Sequence, residues 1–257
     1  MLEKLIDGYC QLISYLIAAL LALFTILFGT RHLDATERHE GMVAAIAFES
    51  VVKLVAFLAV GLFVTYGMFG GLSDIFQRAT ESPELARLLQ LDSSRAGTWT
   101  AMILLSGLAI IFLPRQFQII VVENVDESHL KRAVWLFPLY LLLINVFVLP
   151  LALGGLLHFN GQGFNPDTFV LTLPLARGAE SLALLAFIGG LSAATGMVIV
   201  ETIALSTMVC NDLVMPFLLR STWLKTEKQQ DLSGLLIGIR RVAIVLILLL
   251  GYIYFRA

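Results

Sequence analysis

FIGGLSAATGMVIVETIALSTMVCNDLVMP, residues 187–216, is the stretch on which the reading of this chain turns. It is apolar over more than the ~20 residues that a helix needs to cross a bilayer. Its centre nevertheless holds Gly189, Gly190, Ser192, Ala193, Ala194, Thr195 and Gly196, where a helix facing lipid on every side would carry Leu and Ile. Small residues let neighbouring backbones approach closely. Glu201 follows, and an acid inside a membrane faces protein or water rather than acyl chains. The stretch is therefore expected to form a helix packed inside a bundle and lining whatever site the bundle makes.

The composition agrees with a membrane location. Hydrophobic residues make up 58% of the chain and charged residues 14%, with a mean hydropathy of +0.88. A soluble domain has nearer ~45–50% apolar and ~25% charged residues. The fold class expected is thus an all-α integral membrane protein. A net charge of −2 gives no basic excess of the kind that nucleic acid requires. Cys10 and Cys210 suit neither a disulfide framework nor a metal site.

Working outward, six apolar blocks predict six transmembrane helices, at about 9–29, 42–69, 99–122, 133–157, 182–215 and 235–255. The hairpin RHLDATERHEG, residues 31–41, joins the first two, and Asp34 with Glu37 reads as a helix-start capping pair. Gly70-Gly71 closes the second span. Residues 72–97 form a polar connection in which PELARLLQL, 83–91, predicts one short interfacial helix. Pro114-Arg115 interrupts the third block, and the hinge ENVDESHLKR, 123–132, precedes a fourth containing Pro138, Asn145 and Pro150. Phe169 to Leu175 is too short to span and reads as a re-entrant or surface helix.

Lys and Arg are retained on the cytoplasmic face during insertion. Arg31, Arg38, Arg115, Lys131, Arg132, Arg220, Lys225, Lys228, Arg240 and Arg241 fall on one side and outnumber Lys4, Arg78, Arg87, Arg95, Arg177 and Arg256 on the other. The first side is expected to be cytoplasmic, in an inner membrane. An even number of spans then places both chain ends outside, which suggests part of a larger protein.

Four groups of residues carry candidate chemistry. Glu49 and Lys53 are four apart and share one helix face, either as a self-neutralising structural pair or as a gate or proton-linked pair. Pro114, Arg115, Gln116 and Gln118 place freed carbonyls and a charge in or beneath a span, which requires a cavity or a cytoplasmic mouth. Glu201 reads equally as a proton carrier or as the partner of an arginine such as Arg115. His32 and His39 match no metal-ligand spacing and read as part of a solvated hairpin. The sequence contains no nucleotide-binding glycine loop, nucleophile elbow, zinc signature or heptad run, so no enzyme activity, cofactor or metal is expected.

LPRQFQIIVVENVDESHLKRAVW, FVLTLPLARG and GGLSAATGMVIVETIALSTMVCNDLV, with RHLDATERHEG and AIAFESVVKL upstream, resemble the sodium:solute symporter family, above all the transporter-like membrane module of transporter-fused sensor histidine kinases. The resemblance covers essentially all of residues 1–257. It implies a ten-helix core of two inverted five-helix repeats, of which the six spans here correspond to helices four to nine. It implies a small solute, such as an amino acid, bound at the membrane midplane, with the lipid bilayer and the remaining helices of the complete protein as partners. Ser192 and Thr195 would line the eighth helix, and Ala193, Gly196 and Met197 fall on the family's sodium position. Gly196 and Met197 stand where the family has hydroxyl residues, and neither supplies the oxygen that a hard cation needs. The resemblance therefore implies coupling to protons rather than sodium. A solute-sensing module without transport, and an inactive fragment, are the alternatives.

Overall fold

In a computed structural model the described residues are 15–23, 25–26, 40–89, 96–124, 126–159, 165–220 and 233–256. Among them every regular element is helical. Residues 15–23 form α1, Glu40–Leu62 α2, Leu72–Glu81 α3, Pro83–Leu89 α4, Ala96–Phe112 α5, Pro114–Phe117 α6, Glu127–Asn145 α7 and Val148–Phe159 α8. Then follow Phe169–Ala176 as α9, Glu180–Met208 as α10, Met215–Arg220 as α11 and Ser233–Arg256 as α12. The termini of three of these widen into π-helical turns, at Phe63–Met68 after α2, Gln118–Val122 after α6 and Val209–Val214 after α10.

Among the described residues four helical stretches are long and apolar enough to cross a membrane: Val43–Met68, Glu127–Phe159, Glu180–Phe217 and Gly234–Phe255. α5 and α6 with its π turn make a fifth if the break between them is bridged. These match the second, fourth, fifth, sixth and interrupted third blocks of the sequence. Of the first block only residues 15–23 and 25–26 are described, and of the 31–41 hairpin only residues 40–41.

The chain divides into two bodies. One contains Glu40–Ile111 and Asn124–Ala194, and the other contains Phe112–Glu123, Thr195–Ala257 and the described residues before 40.

In the first body, α2 runs uninterrupted to its π turn and stops where Gly71 adopts φ 115°, a backbone conformation open chiefly to glycine. That turn reverses the chain into α3. Residues 83–89 form the short helix expected there, α4, but the sequence reading missed a second helix before it, α3, which ends at Ser82 ahead of Pro83. Nor is the pair a polar connection throughout. Ile75, Ala79 and Leu85 are buried against Leu153 of α8, with Phe69, Phe76 and Leu156 packed around them. A fully buried side chain of that size contributes about 1.5–3 kcal/mol. The short helix at 169–176 is likewise an inserted one: Phe169 and Leu173 join Val60, Val64, Phe147, Leu151 and Ala186 in a single apolar core. Gly155 makes room for this, since a Cβ there would overlap the Phe169 ring.

The helix that opened the reading is less enclosed than expected. Gly189 is buried against α2, where a Cβ would lie 2.8 Å from that of Ala56, so the small residues do bring two backbones together. Phe187, Ile188 and Leu191 on the other sides are about half exposed. The close approach is confined to that face: the large side chains around it are turned outward, as on a lipid-facing helix, and Gly190 and Ala194 are exposed as well.

Candidate functional site

The second body takes up the chain at the break that follows α5. Leu113 is extended, with φ −70° and ψ 125°, because Pro114 bars it from the helical region and opens α6 at its first position. The chain re-enters a helix at once: the N–H groups of Gln116 and Phe117 donate to the Leu113 carbonyl at 3.0 and 3.1 Å. This brings Arg115 to Glu201 of α10, Nε to Oε2 at 3.9 Å, with a quarter to a third of each side chain exposed. At that separation the pair attracts without a hydrogen bond. Arg115 Nε is buried and has no hydrogen-bond acceptor. Of the two roles open to Glu201 in the sequence, the geometry has it beside the arginine.

Gln116 is half-buried, and Gln118 is buried in the π turn, where its Nε2 donates to Glu123 Oε1 at 3.2 Å. Glu123 is itself only 6% exposed. Sequence reasoning placed Glu123 in a charged hinge and missed it. The π turn holds it in, since the Glu123 N–H closes back on the Gln118 carbonyl at 2.9 Å. Thr202 and Ser206, also passed over, are buried on α10, and each hydroxyl donates to a carbonyl of its own helix, Val198 at 2.6 Å and Ile203 at 2.9 Å. Thr195 and Gly196 are half-buried and Met197 is half exposed. Among the described residues no group of His, Cys, Asp and Glu is arranged to hold a metal ion.

The first body holds a further pair of charges within a membrane-length helix. Glu49 and Lys53 meet as the sequence spacing implies, Nζ to Oε1 at 3.7 Å. Beside them Tyr140 of α7 donates its hydroxyl to the Ser50 carbonyl at 3.2 Å, tying α7 to α2 at the level of the pair. Lys53 also lines an open cavity of about 550 Å³ bordered by α2, α7, α9, the turn before it and the first half of α10. Ala193 lies on that wall and Ser192 is half-buried next to it. Ala193, Gly196 and Met197, which the resemblance assigns to the ion position, follow one another at spacings of three and one along the single helix α10.

No protein-family model, curated protein or solved structure matches this chain. What the geometry offers chemically is an arginine and an acid at a helix break, and a separate apolar cavity containing charge.

Proposed function

We propose that the chain is a membrane module of a solute transporter of the sodium:solute symporter type, seated in the inner membrane and belonging to a larger protein of the kind fused to a sensor histidine kinase. The observation that carries this reading is the helix break at Leu113-Pro114 with Arg115 set loosely against Glu201. Irregular backbone at membrane depth is tolerated where it lines a cavity, and transporters use such broken helices to meet charged solute groups. Arg115 keeps N–H donors to offer, because its pairing with Glu201 is Coulombic only. A carboxylate-bearing solute such as an amino acid would compete with Glu201 for the guanidinium, and release of Glu201 would couple solute to charge.

The test is solute uptake into proteoliposomes by the protein encoded by the complete reading frame, at constant pH and membrane potential, with choline replacing sodium. Sodium-independent uptake that is abolished by a protonophore and by Arg115→Gln is expected, because Gly196 and Met197 provide no oxygen side chain for sodium. Strict, saturable sodium dependence overturns the coupling. Solute binding without any uptake replaces transport by sensing.

A further inference from the structure

The cavity of the first body has no part in the helix break, and the make-up of its wall defines an occupant. Most of the lining is apolar, with Phe57 from α2, Ile144 from α7 and Leu171 from α9. Three polar residues interrupt it: Lys53 from α2, and Asp167 and Thr168 from the turn that leads into α9.

The two charged residues are not used up by their neighbours. The Lys53 ammonium stands 3.7 Å from Glu49, well beyond the ~2.7–2.9 Å of a charge-assisted hydrogen bond, and it has three donors. Around Asp167 the turn is closed by Asn165, whose side-chain oxygen accepts the Asp167 N–H at 3.0 Å and whose carbonyl accepts the Thr168 hydroxyl at 2.7 Å. The Asp167 carboxylate takes part in neither bond.

A monocarboxylate attracted to Lys53 would share the cavity with the like charge of Asp167. An organic cation drawn to Asp167 would share it with Lys53. A ligand with an ammonium at one end, a carboxylate at the other and apolar groups between meets both walls with opposite charge and the remainder with matching surface. An open cavity of about 550 Å³ has room for ligands well above the smallest solutes. We propose that this cavity binds short apolar peptides as zwitterions, the terminal ammonium at Asp167 and Thr168 and the terminal carboxylate at Lys53. The site stands whether or not anything is carried across the membrane.

The test is calorimetric titration of the chain in lipid nanodiscs, against empty discs, with three probes: leucyl-leucine, its N-acetyl derivative and its C-terminal amide. Hydrogen bonds to charged groups are worth enough that loss of either terminal charge is expected to weaken binding by about tenfold or more. Asp167→Asn, on an exposed turn, removes the preference over the acetylated probe and leaves that over the amide. Lys53→Met combined with Glu49→Gln, which avoids stranding an acid, does the converse. Gly190 lines the cavity and a Cβ there would meet nothing within 4 Å, so Gly190→Phe places a ring at the site and is expected to abolish binding. Equal binding of all three probes, no binding of leucyl-leucine up to millimolar concentration, or unchanged binding to the Gly190→Phe variant overturns the proposal.

Discussion

Removing Glu201 from beside Arg115 leaves a guanidinium whose Nε already lacks an acceptor. Two unit charges about 4 Å apart attract by about 4 kcal/mol at the effective dielectric of ~20 that suits such sites. Side-chain exposures of 25% and 33% let solvent take up part of that. The expected cost of Glu201→Gln is therefore about 1–3 kcal/mol, below the ~3–5 kcal/mol of a fully buried pair that loses one member. Arg115→Gln should cost a similar amount, since it strands the acid instead. The double variant strands neither and should lie within about 1 kcal/mol of the parent. The assay is unfolding in mixed micelles by titration with sodium dodecyl sulfate, followed by far-ultraviolet circular dichroism, for all four proteins. Single losses that add in the double variant to within ~0.5 kcal/mol refute the reasoning, because side chains that do not interact behave additively.

Lys53→Ala should lower folded yield, read from detergent size-exclusion profiles, more than Lys53→Ala with Glu49→Ala does, because only the single change leaves an unpaired intramembrane acid; equal losses would mean that the contact at 3.7 Å is immaterial. Gly155→Ala should destabilise the parent, since its Cβ meets the Phe169 ring, but stabilise a Phe169→Ala variant, where the space is vacated and alanine's helix preference of up to ~1 kcal/mol over glycine is free to act; the same sign in both backgrounds counts against the packing described. Outside the spans, the Arg78 guanidinium at 2.7 Å and the Gly70 N–H at 2.9 Å hold the Asp74 carboxyl below the usual carboxylate range. A depressed folded value stabilises above the unfolded value of ~3.9 and is lost as pH falls through the folded one. The fall in melting temperature between pH 7 and pH 3 should accordingly be smaller in Asp74→Asn, and an unchanged fall would remove Asp74 from the account.

The spans were legible because length and apolar content are properties of the sequence alone, and Pro114 announces its own break. Glu49 and Lys53 were legible for the same kind of reason: a spacing of four fixes a shared helix face. The α3–α4 pair was harder to see, because Asp74, Arg78, Glu81, Glu84 and Arg87 make the segment look solvated. Ile75 and Ala79 stand four apart on α3, but they and Leu85 across the break need the partner Leu153, far along the chain, to become a core. Glu123 was illegible for a related reason. A carboxylate one residue beyond a span looks like a surface charge until the backbone of a π turn folds it under Gln118.

Those π turns have a consequence for how this chain tolerates length changes. A π turn is what an α-helix becomes when it absorbs one extra residue without passing the displacement on. Elsewhere in α10, removing a residue would rotate everything beyond it by about 100°, carrying buried Thr202 and Ser206 out of the packing. Within Val209–Val214 the same deletion has a natural outlet, collapse of the wide turn to an ordinary one, leaving the faces on either side aligned. Phe63–Met68 and Gln118–Val122 instead lie at the ends of their helices, so among the described residues Val209–Val214 is the window where this chain can lose a residue and keep the helices on either side in phase.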